Sequence, residues 1–127
     1  TLQHSPKLGH ITTFGGNPVI AAASLATLKE ITESNLITDT LKKEVLFRKY
    51  LQHKLIKEIR GKGLMLALIM ENSEIANQLI LTAAKEKLIL FWLLFEPKAV
   101  RLSPPLTISN SEIKAGCDQI ISILNRF

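Results

Sequence analysis

Apolar stretches alternate with short polar breaks along the chain, and the spacing within each stretch predicts an element. Residues 1–17 carry Pro6, Gly9, Gly15 and Gly16 with few core-forming residues between them, and read as loop. Asn17-Pro18 then predicts a helix start. An asparagine side chain accepts a first-turn N–H, and proline suits the first helical position because its missing N–H costs nothing there. Residues 19–33 are alanine-rich, with Ile20, Ala23, Leu28 and Ile31 at helical spacing and no charge before Lys29. A helix without a charged face is expected to be covered on most sides.

A second helix is predicted over residues 38–53. Leu41, Val45, Phe47, Tyr50 and Leu51 form its apolar stripe, and Lys42, Lys43, Glu44, Arg48 and Lys49 face water. Residues 56–60 alternate weakly, as a strand does, and Gly61-Lys62-Gly63 breaks them. Residues 64–70 are apolar throughout and too short for a helix, so the two segments are expected to pair antiparallel. Asn72 or Ser73 caps a third helix running to about residue 87, with Ile75, Leu79, Ile80 and Ala83 inward. Residues 88–95, the longest apolar run, predict a buried strand. Glu96-Pro97-Lys98 reads as a turn and residues 99–103 as a fourth strand, ended by Pro104-Pro105, which cannot donate to a ladder. Ser109-Asn110-Ser111-Glu112 has the spacing of a capping box. It opens a last helix with Ile113, Cys117, Ile120, Ile121 and Leu124 inward. The fold expected from this order is α/β: a small α+β layer pair, in which a mainly antiparallel sheet of three or four strands carries helices on one face.

Composition narrows the function. A chain of 127 residues fits one domain, and 46% apolar residues exclude a disordered one. The net charge of +5 is spread along the sequence without a run of one sign, which suits solubility better than nucleic-acid binding. Cys117 is the single cysteine, so an internal disulfide and a cysteine-rich metal site are excluded. Its place on an inward stripe predicts a buried structural thiol. A reducing, cytoplasmic compartment is expected, and no run approaches the ~18 apolar residues of a membrane span. His4, His10 and His53 are too scattered for a metal pair, and no phosphate-binding GxxxxGK[ST] loop occurs. Gly61-Lys62-Gly63 reads as a tight turn or bulge requiring positive φ, and Trp92 as a core or interface residue. The chain opens on Thr1-Leu2-Gln3-His4 without an initiator methionine, and is expected to be a piece of a longer protein.

Two features carry possible chemistry. In Gly9-His10-Ile11-Thr12-Thr13-Phe14-Gly15-Gly16-Asn17-Pro18, hydroxyls and glycine N–H groups precede a helix N-terminus, where an anion such as phosphate is favoured. The same residues also make an ordinary cap. Arg101 places a permanent charge in an apolar strand, and its planar fork suits a carboxylate or phosphate. The alternative is an arginine on an edge strand, in water.

The segment Thr12-Thr13-Phe14-Gly15-Gly16-Asn17-Pro18, with its alanine-rich helix, resembles class III aminotransferases. These are pyridoxal-phosphate enzymes of fold type I that include the acetylornithine and ornithine aminotransferases. Ile59-Arg60-Gly61-Lys62-Gly63-Leu64-Met65 is similar to the strand–turn–strand of the family's small domain. Val100-Arg101-Leu102-Ser103-Pro104-Pro105-Leu106-Thr107-Ile108 is similar to its last strand, and the resemblance covers essentially the whole chain. It implies that residues 1–17 are a loop of a large domain absent here. Residues 18–35 would then be the interdomain helix and residues 36–127 the C-terminal small domain.

The resemblance also implies a homodimeric parent using pyridoxal 5'-phosphate. Such a parent transfers an amino group from an amino-acid donor, ω-amino and ornithine- or acetylornithine-like, to a 2-oxo acid. Thr13, with Thr12, would contact the cofactor phosphate of the neighbouring subunit, the glycines keeping the backbone close. Arg101 would hold a substrate carboxylate or pair with a large-domain glutamate. The family's Schiff-base lysine lies some tens of residues before the Thr-Phe-Gly-Gly segment. Only twelve residues precede Thr13, and Lys7 is too close. No catalytic residue is therefore expected within these residues, and the chain alone is not expected to bind the cofactor covalently or to transaminate. A stand-alone α+β binding or dimerisation module without catalytic activity is the competing expectation.

Overall fold

The computed structural model describes residues 13–127, in two units, Thr1–Asn35 and Leu36–Phe127. In the first unit Asn17 sits in extended backbone and its side chain accepts the N–H groups of Val19 and Ile20. Pro18 occupies the first helical position, and helix α1 runs Pro18–Glu33 without burying any of its own side chains.

The second unit contains α2 (Leu36–Tyr50), β1 (Ile56–Lys62), β2 (Met65–Met70), α3 (Ser73–Lys85), β3 (Phe91–Leu93), β4 (Glu96–Leu102) and α4 (Asn110–Leu124). The strands lie in the order β1-β2-β4-β3, and every neighbouring pair is antiparallel. Successive residues of a strand point to opposite faces. Leu66 and Leu68 of β2 with Val100 and Leu102 of β4 form one buried row set, joined by Phe47 of α2, Leu79 of α3 and Ile113 of α4. The expected α/β architecture, helices on one face of an antiparallel sheet, is the one found. Burying a leucine such as Leu68 or Leu79, both fully enclosed, contributes about 2 kcal/mol each. Among the described residues no helix is long and apolar enough to cross a membrane.

β1 does not stop at residue 60. It continues through Gly61 and Lys62, and the Lys62–Met65 pair leaves Gly63-Leu64 as a two-residue hairpin loop. Gly63 has φ +61, the positive value that a type II′ turn needs at its first loop position.

Four expectations are corrected. On α2, Leu41 and Val45 are exposed, and the buried side is Phe47 with Leu46, Tyr50 and Leu51. The face facing the core follows positions 43, 46, 47 and 50, a helical series that begins on a lysine. Lys43 fits there because its Nζ reaches the Leu106 carbonyl oxygen at 2.5 Å. Nor do residues 88–95 form a buried strand. β3 has three residues, and Ile89, Leu94 and Phe95 are exposed. β3 is the sheet's edge, so only one side of it is covered. Leu94-Phe95 is the loop between the paired residues Leu93 and Glu96, and residues 96–98 belong to β4 rather than to a turn. Trp92 is half-exposed rather than core, and its indole N–H donates to the Asn77 side-chain oxygen at 3.2 Å.

Candidate functional site

Thr13–Gly16 form a turn ahead of α1, closed by the Asn17 N–H donating to the Phe14 carbonyl oxygen at 3.1 Å. Thr12 lies outside the described residues. The first-turn donors of α1 are already satisfied. Pro18 has none, Val19 and Ile20 donate to Asn17 Oδ1 at 3.0 and 3.3 Å, and Ala21 donates to the Asn17 carbonyl oxygen at 2.9 Å. The helix N-terminus therefore offers an anion fewer free donors than the sequence suggested. Thr13 is exposed, and its hydroxyl has no partner among the described residues. What the segment still offers a ligand among the described residues is the Thr13 hydroxyl.

Arg101 sits in the second unit on β4, which is paired on both sides. The edge-strand alternative is thus corrected: the arginine stands within the sheet, opposite Ala67 of β2 and Phe91 of β3. Its neighbours Val100 and Leu102 point into the core, so the Arg101 side chain leaves β4 on the other face of the sheet, although the residue also lines a cavity that α4 borders. Arg60, paired with Ala67 from the other side, completes a row Arg60–Ala67–Arg101–Phe91 across that face.

The arginines differ in what holds them. Arg48 is bound to Glu44 at 2.8 Å, Arg60 to Glu58 at 2.8 Å and Arg126 to Glu86 at 2.6 Å. Arg101 has no carboxylate within reach among the described residues. Its guanidinium lies over the Phe91 ring, 5.0 Å from the centroid. Glu112 shares a cavity lining with Arg101, but its carboxylate accepts from Ser109, from the backbone N–H at 2.8 Å and from the hydroxyl at 2.7 Å. Those bonds, the backbone one foremost, hold the Glu112 carboxyl below its usual range. Arg101 is thus a guanidinium with no carboxylate partner among the described residues, flanked on its row by Ala67 and Phe91.

The family model for class-III aminotransferases matches residues 2–124. The chain belongs to that family. It is 36% identical over 121 residues to the acetylornithine aminotransferase of Caldanaerobacter subterraneus subsp. tengcongensis, a match covering 91% of this chain and 29% of the relative. The acetylornithine aminotransferase of Vibrio parahaemolyticus is likewise 36% identical over 118 residues, with 87% and 29% covered. Among solved structures, acetylornithine aminotransferase from Elizabethkingia anophelis superposes with a TM-score of 0.80 at 28% identity, covering 93% of this chain and 31% of that one. Ornithine aminotransferase from Toxoplasma gondii gives a TM-score of 0.78 at 25% identity, with 93% and 29% covered. The chain spans under a third of the length of these relatives.

Two features of this aminotransferase-family unit go beyond the sequence reading. The first is a brace between α2 and the β1–β2 hairpin. Glu44 Oε2 accepts the Gly63 N–H at 2.6 Å and Oε1 accepts Arg48 Nε at 2.8 Å. Arg48 then donates to the carbonyl oxygens of Ile59 at 2.6 Å and Gly61 at 3.0 Å. The Gly63 N–H, and after it Arg48, hold the Glu44 carboxyl below the usual carboxylate range. The i,i+4 spacing of Glu44 and Arg48 was the available signal. The second is the Phe91 contact with Arg101, which needs the β3–β4 register to be known. Cys117 behaves as its stripe predicted. It is fully buried, and burial pushes its thiol up to about 12, so it carries no thiolate at neutral pH. The described residues hold no cluster of potential metal ligands.

Proposed function

We propose that this chain supplies the C-terminal part of a pyridoxal 5'-phosphate-dependent aminotransferase. In this reading residues 1–17 belong to the large domain, residues 18–35 are the interdomain helix and residues 36–127 are the small domain. The assembled homodimer moves an amino group from an amino-acid donor, of ornithine or acetylornithine type, to a 2-oxo acid. The family assignment supports the reaction class, and Arg101, the one arginine without a carboxylate partner among the described residues, carries the assignment of the site.

The cofactor, when bound, supplies the electron sink on which amino transfer depends. This chain's own residues bind and orient. Thr13, with Thr12 beside it in sequence, donates to a phosphate from the neighbouring subunit. Gly15 and Gly16, which follow, add no side chain to that approach. Arg101 receives the carboxylate of the amino- or oxo-acid in bidentate fashion and so fixes which end of the substrate is presented for reaction. No lysine stands at the family's cofactor-binding spacing within these residues, so the roles proposed for them are to bind and orient.

Arg101→Lys in the full-length enzyme keeps the charge and removes the planar fork. The expected result is a loss of at least about tenfold in kcat/KM, equivalent to roughly 1.4 kcal/mol. Melting temperature is expected to stay nearly unchanged, because the side chain is exposed. Steady-state kinetics with donor and acceptor varied separately checks this. Wild-type efficiency in both half-reactions rejects Arg101 as a substrate contact.

A further inference from the structure

The row Arg60–Ala67–Arg101–Phe91 presents two arginines on one face, held in opposite ways. Arg60 Nε donates to Glu58 at 2.8 Å, so its charge is matched and part of its donor fork is occupied. Arg101 has on one side Ala67, a methyl group that restrains nothing, and on the other Phe91, whose ring lies 5.0 Å from the guanidinium carbon. Directly opposite residues on antiparallel strands have their side chains in contact range. A cation within about 6 Å of an aromatic centroid is attracted by the ring's electrons. The two kinds of restraint have different consequences. A carboxylate consumes N–H donors. A ring attracts the cation through its face and leaves the in-plane donors to a ligand. Phe91 is also half-exposed, on a three-residue edge strand with an exposed Leu94-Phe95 loop. Its ring is not needed to fill the core cluster, from which it is absent.

We infer that Phe91 is a positioning residue for the substrate carboxylate: its ring holds the Arg101 guanidinium in place while leaving that guanidinium's donors open. This rests on the reading of Arg101 as the carboxylate-binding residue. An unrestrained arginine loses rotamer freedom when it binds, and a side chain already fixed by a ring loses less. Phe91 therefore acts on substrate affinity through Arg101 and touches no reacting atom.

The test uses the full-length holoenzyme. Phe91→Ile keeps an apolar, strand-favouring side chain and removes the π face. It is expected to raise KM roughly threefold or more for the substrate whose carboxylate Arg101 holds, with kcat within about twofold, as loss of uniform binding does. Phe91→Trp, which restores a π face, is expected to recover most of that loss. In an Arg101→Gln background, Phe91→Ile is expected to add almost nothing. If Arg101→Gln impairs that half-reaction while Phe91→Ile alone leaves KM unchanged, the positioning role is wrong and the Arg101 reading stands. If Arg101→Gln itself leaves both half-reactions intact, the Arg101 reading fails and the inference falls with it. A Phe91→Ile loss that is equal in kcat and KM, lowers the melting temperature and is not recovered by tryptophan identifies a structural residue and overturns the inference.

Discussion

Gly61→Ala is expected to destabilise the Leu36–Phe127 unit by at least about 3 kcal/mol, lowering Tm by roughly 12 °C or more. Gly61 has φ +110, outside even the left-handed helical region that asparagine tolerates. A Cβ built there falls 2.0 Å from the Met65 carbonyl oxygen and 3.0 Å from the Leu66 Cα. Both atoms are backbone of the partner strand, where Gly61 faces Leu66, so relief requires pulling β1 off β2. The Gly61 carbonyl oxygen also accepts from Arg48, and displacing the residue loosens that bond as well. Gly116, within α4, is the internal control. A Cβ there meets nothing within 4 Å. Gly116→Ala is expected to be neutral or to stabilise by up to about 1 kcal/mol through helix propensity. Urea denaturation of the two variants side by side separates steric strain from a general intolerance of alanine. Equal stabilities would show that β1 can shift without cost.

The same glycines show how much of the fold could be read from residues. Arg60-Gly61-Lys62-Gly63 announced positive φ, and both glycines have it. What the sequence did not place was the turn itself. The apparent break at residue 61 is the last part of β1, and only register shows that the loop is Gly63-Leu64. Helix starts at Asn17, Asn72 and Ser109 were legible, because each is set by a local hydrogen bond to the first turn. The run of residues 88–95 differs from the buried strand it predicts because unbroken apolarity carries no register. Nothing local says that Leu94-Phe95 rather than Glu96-Pro97 turns the chain. Pro97 is tolerated inside β4 because the β3–β4 register slips between Trp92 and Leu93, and the β2 pairing begins only at Ala99. The missing N–H of Pro97 thus breaks no ladder bond.

The candidate site divides the same way. Arg101 was identifiable as a charge that an apolar strand does not need. That it stands between Ala67 and Phe91 was not, because strand order β1-β2-β4-β3 brings together residues far apart in sequence. Thr13 was identifiable from the motif that contains it. That the Val19 and Ile20 N–H groups beside it are taken up by Asn17 was not.

Glu44→Ala is expected to cost about 2–3 kcal/mol at neutral pH, and Glu44→Gln only about 1 kcal/mol. The alanine variant leaves the buried Gly63 N–H without an acceptor and Arg48 without its carboxylate, whereas glutamine can still accept from Gly63. The Glu44 side chain is only 16% exposed, which distinguishes this pair from a surface ion pair of little worth. Because the folded state holds the Glu44 carboxyl low, its contribution is fully present above the unfolded-state value near 4.3. It is lost as pH falls through the lower folded-state value. Asp39, lowered chiefly by its Lys42 hydrogen bond, and Glu112, lowered chiefly by the Ser109 N–H, share that sign. They remain in wild type and variant alike and cancel in the difference. The stability gap between wild type and Glu44→Gln is therefore expected to be largest above about pH 5 and to close on acidification. Denaturant midpoints at a series of pH values for the two proteins measure that gap. A gap that stays constant down to acid pH would show that the carboxylate charge contributes nothing. The brace would then act only through the shape of the side chain, and α2 would hold the β1–β2 hairpin, and with it Ala67 beside Arg101, by packing alone.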